Sequence, residues 1–403
     1  MLTSSLRLKT EGLRSRVSGA GFITLDVMLG ARSQLVYTGI GGSTGNVLSI
    51  LAFLGWESLP LVNLGRDHVG ATIHREFTRL GANMRHVRLN RGLMSPLLYQ
   101  FAGEPSEAPR YSFACPVCGQ TRRFHESLVD SGGDEFVRCA AESNVFFFDR
   151  VTAGTVRMAQ AARAGGAFVI FEPSSISGDR GLFDAALSCA HVVKYSVDRI
   201  SESLDHHLSS GFVEIQTLGA RGLRFRKHSL APDWVDLPAL RASSVADTSG
   251  AGDWCTAGFL HALFASRGAN ELRDLCYNDI YRSLRLGQSI AALSVGHVGA
   301  RGMMRAWQPS DALEMAQRIL GGVNAPEWTG PACAHQQLDS VCCVDLTSAT
   351  PQPGRLSTFF SFDQSAPPSC TGLVRPPARN RAEPIGRQEV SRKLSHSLIQ
   401  SND

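Results

Sequence analysis

The sequence predicts an α/β protein built on a mostly parallel sheet, and three observations carry that expectation. Short apolar runs at 144–148, 167–171 and 191–195 alternate with helical stretches reaching about 164 and spanning 182–187. That alternation is the pattern of βαβ units, whose crossovers are right-handed. Two glycine-rich loops, at 41–45 and 250–252, each open directly onto an apolar helix. Finally, 43% apolar residues and 39 glycines in 403 residues fit a globular chain long enough to bury a full core, as one large domain or two.

Bulk properties remove several function classes. A net charge of +4 is small for this length and does not argue for nucleic acid. Ten cysteines lack the density and spacing of a secreted disulfide framework and read as reduced thiols of a cytoplasmic protein. No apolar run approaches the roughly 18 residues of a membrane span. The first 17 residues are basic and Ser-rich without an apolar signal-peptide region. Residues 1–15 therefore read as a disordered lead-in, with a transit peptide as the other reading.

In chain order, residues 17–26 read as a first strand ending in Asp26. Ligands of α/β sheets bind outside the carboxyl ends of strands, so Asp26 stands where a carboxylate can accept hydrogen bonds from two hydroxyls. An ordinary turn aspartate fits the same position. Gly41-Gly42-Ser43-Thr44-Gly45-Asn46 follows, then a helix over 47–54. Gly41 and Gly42 permit close backbone approach to a substrate. Asn46 offers both a donor and an acceptor, which suits a polyol, although Asn also caps helices. The turn at 64–70 and a helix over 71–80 read as scaffold. Residues 84–104 alternate polar and apolar in short runs.

Cys115-Pro116-Val117-Cys118-Gly119 is a Cys-x-x-Cys-Gly knuckle followed by Arg122, Arg123 and His125. With His125 or Cys139 it could complete a zinc site. A redox pair and a structural turn are the other readings, and the arginines read as a solvated loop. Glu172-Pro173-Ser174 ends the strand at 167–171. The strand closing at Gln216-Thr217-Leu218-Gly219 turns through Gly222 into an antiparallel partner at 223–226.

Asp247-Thr248-Ser249-Gly250-Ala251-Gly252-Asp253 is the centre of the chain, followed by an apolar helix to about 266. Gly250 and Gly252 allow a sharp turn that presents backbone N–H groups. The start of a helix adds further donors and a partial positive charge, so the spot suits a phosphate. A carboxylate beside an anion is repelled by it unless it is there to take a proton from a nucleophile. That arrangement is kinase chemistry. The plainer reading of Asp253 is a first-turn carboxylate favoured by the helix dipole. Helices over 284–295 and 311–320 complete the domain. Beyond Gly322, residues 323–403 are rich in Pro, Ser, Gln and Arg and read as a disordered tail, with a short segment near 338–346 and an adjacent Cys342-Cys343 that needs no function.

Asp-Thr-Ser-Gly-Ala-Gly-Asp-x-x-x-Ala-Gly-Phe-Leu over 247–260 resembles the C-terminal signature of the ribokinase-like (PfkB) carbohydrate kinases. Ser249 replaces a Thr and Cys255 a Phe. The Gly41–Gly55 stretch resembles the N-terminal signature, and the turns at 65–70, 172–174 and 217–222 resemble weaker family elements. The resemblance covers residues 16–322. It implies a three-layer ribokinase-like α/β/α sandwich with a small β lid, the lid and the cysteine insert lying within about 27–40 and 84–140. It implies a sugar kinase using ATP and Mg²⁺. Asp253 would be the catalytic base, and the amides of Gly250, Ala251 and Gly252 the anion hole. Asp26, Gly41, Gly42 and Asn46 would bind the acceptor. Thr217, Gly219, Gly222, Asp247, Thr248 and Ala292 would line the nucleotide, with 296–302 beside the adenine. The family expects Lys-Pro-Asn-x-x-Glu where this chain has Lys194-Tyr195-Ser196-Val197-Asp198-Arg199, so Asp198 is the nearest acid for the metal. Relatives often pair through the lid, which makes a homodimer an expectation. Two other readings stand beside the sugar kinase: a nucleoside kinase on the same fold, and a degenerate kinase fold used as a regulatory module.

Overall fold

The chain enters its main sheet at Arg16–Ala20 (β1) and bends away at Gly21. Thr24–Leu29 (β2) therefore belongs to a different sheet. Asp26 lies within β2, not at the end of a core strand as the sequence suggested, because the positive φ of Gly21 breaks the run that composition alone presents as continuous. The computed structural model describes residues 15–30, 35–101, 110–176, 178–201, 204, 213–227, 231–266 and 275–323. Of the expected lead-in at 1–15 and tail at 323–403, all but residues 15 and 323 lie outside them, Cys342-Cys343 included.

The remaining elements follow in order. Leu35–Gly41 (β3) runs into Ser43–Phe53 (α1), then come Glu57–Pro60 (β4), Val62–Gly65 (β5) and His68–Arg79 (α2). Val87–Asn90 (β6), Leu97–Phe101 (β7) and Arg110–Ser112 (β8) lead to Ser127–Asp130 (α3) and Gly133–Ala141 (α4). Val145–Phe148 (β9), Ala153–Ala164 (α5), Phe168–Phe171 (β10), Arg180–Cys189 (α6) and Val192–Ser196 (β11) form the alternating stretch. Val213–Thr217 (β12), Gly222–Lys227 (β13) and Ala231–Pro238 (β14) precede Ala251–Ser266 (α7), Tyr277–Ser294 (α8), Met303–Ala306 (α9) and Pro309–Leu320 (α10).

The main sheet has the order β14-β13-β12-β11-β10-β9-β1-β4. It is parallel from β4 through β12 and antiparallel over β12–β13–β14. Both faces are covered, which is why Val145, Phe146, Phe147 and Phe148 are all fully buried. Val145 and Phe147 join the core shared with α1, α7 and α8, whereas Phe146 and Phe148 join the core under α4, α5 and α6. These are the three layers expected. A four-stranded sheet of order β3-β2-β7-β8 forms the lid, while β5 and β6 make a separate parallel pair. Thus β6, counted with the lid in the sequence, lies outside it. Among the described residues no helix is long and apolar enough to cross a membrane.

Differences from expectation lie at the starts of α1 and α8 and at α4. α1 begins at Ser43, with Gly42 as its cap, so Asn46 sits inside the helix. α8 begins at Tyr277, about two turns before the apolar run, because its opening Asn278, Asp279 and Arg282 carry no apolar period. α4 was not anticipated, since Gly132-Gly133-Asp134 reads as a turn.

Candidate active site

Asp253 lies in the first turn of α7, and Asn46 reaches it from α1. The Asn46 Nδ2 donates to Asp253 Oδ2 at 2.7 Å, joining residues 207 positions apart. This disposes of the cap reading for Asn46 and ties the two glycine-rich signatures together. Asn46 Oδ1 is buried without a hydrogen-bond partner, and so is Asp26 Oδ1. Leaving a buried acceptor unmade costs about 1–3 kcal/mol. Two such acceptors aligned with Asp253 are what hydroxyl groups of a bound ligand would satisfy. Gly41 makes room for this arrangement, since a Cβ there would fall 1.9 Å from the Asp26 carboxylate.

Burial pushes both carboxylates up to about 7. For Asp26, the Arg301 guanidinium opposes the shift and the charge of Asp253 adds to it. For Asp253, Glu172 adds to it, while Lys194 and the Asn46 hydrogen bond oppose it. Two neighbouring carboxylates that resist double ionisation give a proton acceptor poised near neutrality.

The loop before α7 is held from three sides. Asp247 accepts from Ser249 N and Gly299 N, both at 2.9 Å, so its oxygens brace the loop rather than face solvent. Ser249 Oγ accepts from Gln100 Nε2 at 2.9 Å and lies 3.2 Å from Tyr111 Oη, which fastens β7 and β8 of the lid to the loop. Gly250 has φ 74°, and a Cβ there would fall 2.6 Å from the Ala300 Cβ. The Ala251 N–H donates to Thr248 O at 3.2 Å, so this amide serves the turn itself, while Gly252 is exposed. Thr248 is exposed beside it.

Thr217, Gly219 and Gly222 lie at the end of β12, in a turn closed by Leu218 N donating to Gly222 O at 2.8 Å. Ala292 lies one turn before Val295, whose carbonyl accepts from Ala246 N and Asp247 N at 2.8 and 3.1 Å. In the segment expected beside the adenine, one side chain points away along the molecule. Arg301 is buried and donates to Ile40 O, Tyr37 Oη and Glu76 Oε2 at 2.9, 3.1 and 2.8 Å, which carries it to the lid end of the cleft.

Asp198 and Arg199 are exposed in the turn after β11. Among the described residues no three His, Cys, Asp or Glu side chains group as a metal cage. The zinc expectation for Cys115 and Cys118 therefore finds no ligand set. Cys115 packs in one core and Cys139 in the other, His125 Nδ1 pairs with Ser127 Oγ at 2.7 Å, and the knuckle closes as a turn through Gly119 N and Cys115 O.

Glu172 and Lys194, each noted in the sequence within a different motif, meet as a pair that the sequence does not announce. Lys194 Nζ meets Glu172 Oε2 at 3.0 Å, both buried, and Thr256 Oγ1 donates to the other Glu172 oxygen. A lone Lys inside the apolar strand Val192-Val193-Lys194-Tyr195 was the available signal, because a charge in a central strand must find a partner.

Residues 152–307 match the model of the pfkB family carbohydrate kinases. No curated protein sequence matches the chain. Solved structures do. A fructokinase with bound ATP from Xylella fastidiosa superposes with a TM-score of 0.59 at 20% identity, covering 75% of this chain and 98% of its own. Arabidopsis thaliana ribokinase complexed with ribose and ATP gives 0.57 at 15% identity, covering 76% and 99%. A Burkholderia thailandensis nucleoside kinase in complex with inosine gives 0.53 at 17%, covering 75% and 98%. The fold is that of the ribokinase-like kinases, and its segment 152–307, from the start of α5 to just past α9, carries the pfkB carbohydrate kinase pattern.

Proposed function

We propose that the protein transfers the γ-phosphoryl group of ATP to a hydroxyl of a neutral or phosphorylated sugar or a sugar-like polyol. The observation that carries this reading is the Asp26–Asn46–Asp253 constellation at the mouth of α7, with two buried acceptor oxygens unspent. In the proposed step the acceptor hydroxyl gives its proton to Asp253. Its oxygen bonds to the γ-phosphorus, the bond to the bridging oxygen breaks, and ADP leaves with that oxygen. Asp26, Asn46 and the Gly41-Gly42 backbone orient the acceptor. The backbone at 250–252 faces the transferring phosphoryl group, and Thr217, Gly219, Gly222 and Ala292 flank the rest of the nucleotide.

The donor is proposed as the magnesium complex of ATP. A cation held chiefly by phosphate oxygens and water needs no protein cage, and the described side chains offer none. The lid bond network around Ser249 supports closure over the acceptor, which excludes water from the transfer.

The test is ADP release from MgATP across a panel of sugars, phosphosugars and nucleosides. Turnover with a sugar is the expected result. Turnover with nucleosides alone moves the assignment to a nucleoside kinase. ATP binding with no turnover across the panel contradicts the enzyme reading and favours a regulatory module.

A further inference from the structure

The pair Lys194–Glu172 lies directly beneath the turn that opens α7. Lys194 Nζ would stand 3.6 Å from a Cβ placed on Gly252, the exposed glycine of that turn. Its ammonium has three donors, and one goes to Glu172 at 3.0 Å. Glu172 is held in place from the other side by Thr256, one turn into α7. A buried ion pair is a poor source of stability, because removing two charges from water costs several kcal/mol per ion. Glu172 and Lys194 also bear on Asp253 with opposite signs, so all three sit in one field. Meanwhile position 199, where an acid is expected, is an exposed Arg, and the described residues group no metal cage. The chain thus places a fixed cation, held by Glu172, under the turn that opens α7.

We infer that Lys194 is a further catalytic residue, whose ammonium, aimed by Glu172, donates to a non-bridging oxygen of the γ-phosphoryl group during transfer. This rests on the kinase reading above. The charge on those oxygens is spread in the transition state, and a preorganised donor in a dry site is worth most there. Glu172 acts through Lys194 and is a positioning residue. Thr256 fixes Glu172, which explains why a hydroxyl is buried at that point of an apolar helix.

The test compares wild type with Lys194→Met, Lys194→Arg and the double variant Glu172→Gln/Lys194→Met, which removes both charges and so avoids an unpaired buried carboxylate. Two readouts are taken: kcat and KM for the acceptor, and equilibrium affinity for ADP and for a non-hydrolysable ATP analogue. Both variants lacking the ammonium should lose about 10²–10³ in kcat, the scale of one transition-state donor, with the acceptor KM little changed. Both should also lose the preference for the ATP analogue over ADP, while ADP affinity stays. Lys194→Arg should recover part of each. A merely structural pair gives a different pattern: the double variant then regains wild-type kcat, or the ratio of ATP-analogue to ADP affinity is unmoved, and either result overturns the inference. Wild-type protein that binds neither nucleotide overturns the kinase reading and this inference with it. Wild type that turns over while the variants keep full kcat overturns the role of Lys194 alone.

Discussion

Asp253 concentrates the chemistry of the proposal in one side chain. Replacing it with Asn keeps the shape and the Asn46 contact but removes the proton acceptor. Turnover should fall by about 10²–10⁴, the usual worth of a general base, measured as kcat at saturating acceptor. Its pH dependence follows from the raised carboxyl. A base must be ionised, so kcat/KM should climb with pH through about 7 and level off above it. Asp26→Asn removes a like charge from the same pocket and should move that midpoint to lower pH, read from the pH–rate profile, alongside a higher acceptor KM. At this scale the sequence was informative where a residue type has few uses. A carboxylate after a Gly-x-Gly turn and an Asn behind two glycines were legible. Arg301, Glu76, Gln100 and Tyr111 were not, because each acquires its meaning from a partner far away in the chain, and nothing local to it marks the contact.

The loop at 247–250 and the lid depend on each other. Ser249→Ala removes the hydroxyl that accepts from Gln100 and pairs with Tyr111, while leaving the Asp247 braces in place. One neutral hydrogen bond is worth about 0.5–1.5 kcal/mol. The acceptor KM should therefore rise about 2–10-fold, and ATP hydrolysis without acceptor should increase as water gains entry. Coupled assays with and without acceptor read both. Gly250→Ala places a Cβ against Ala300 and forces a left-handed backbone on alanine. It should cost about 1–3 kcal/mol in urea unfolding. Element existence was well predicted for β9, β10, β11 and α7, whose apolar content is dense. It failed for α4 and for the first two turns of α8, where glycine or polar residues obscure the period. The strand expected over 17–26 failed because a bend at one glycine moves its second half into another sheet.

Over the whole molecule, the site is assembled by topology. The parallel strands β1, β9, β10, β11 and β12 end on one edge of the sheet, where Glu172 after β10 and Lys194 of β11 reach the first turns of α7, while Gln100 of the lid sheet bonds the loop before it. Burying two carboxylates at this focus has a cost that varies with pH. Their folded values lie near 7 against 3.8 for the ordinary group, so the folded state holds protons that the unfolded chain releases. The favourable contribution is complete below about pH 3.8 and is lost as pH rises through about 7. Asp26→Asn and Asp253→Asn should each raise the melting temperature at pH 8 and lose that advantage progressively toward pH 4, seen by thermal melts across pH. The order of the signatures along the chain made this architecture legible. The Lys194–Glu172 pair was legible only in part, as an unexplained charge in a buried strand.

The central claim is that Asp253 takes the proton of an acceptor hydroxyl while ATP gives up its γ-phosphoryl group. Single-turnover transfer from MgATP to the acceptor identified by the panel, followed for wild type and Asp253→Asn by phosphorus NMR of the product, tests it most directly. Wild type should give a phosphorylated acceptor at one equivalent per enzyme, and the variant a rate at least about 10² lower, with nucleotide affinity retained. Equal transfer rates in the two proteins, or ADP formed with no phosphorylated acceptor, would contradict it.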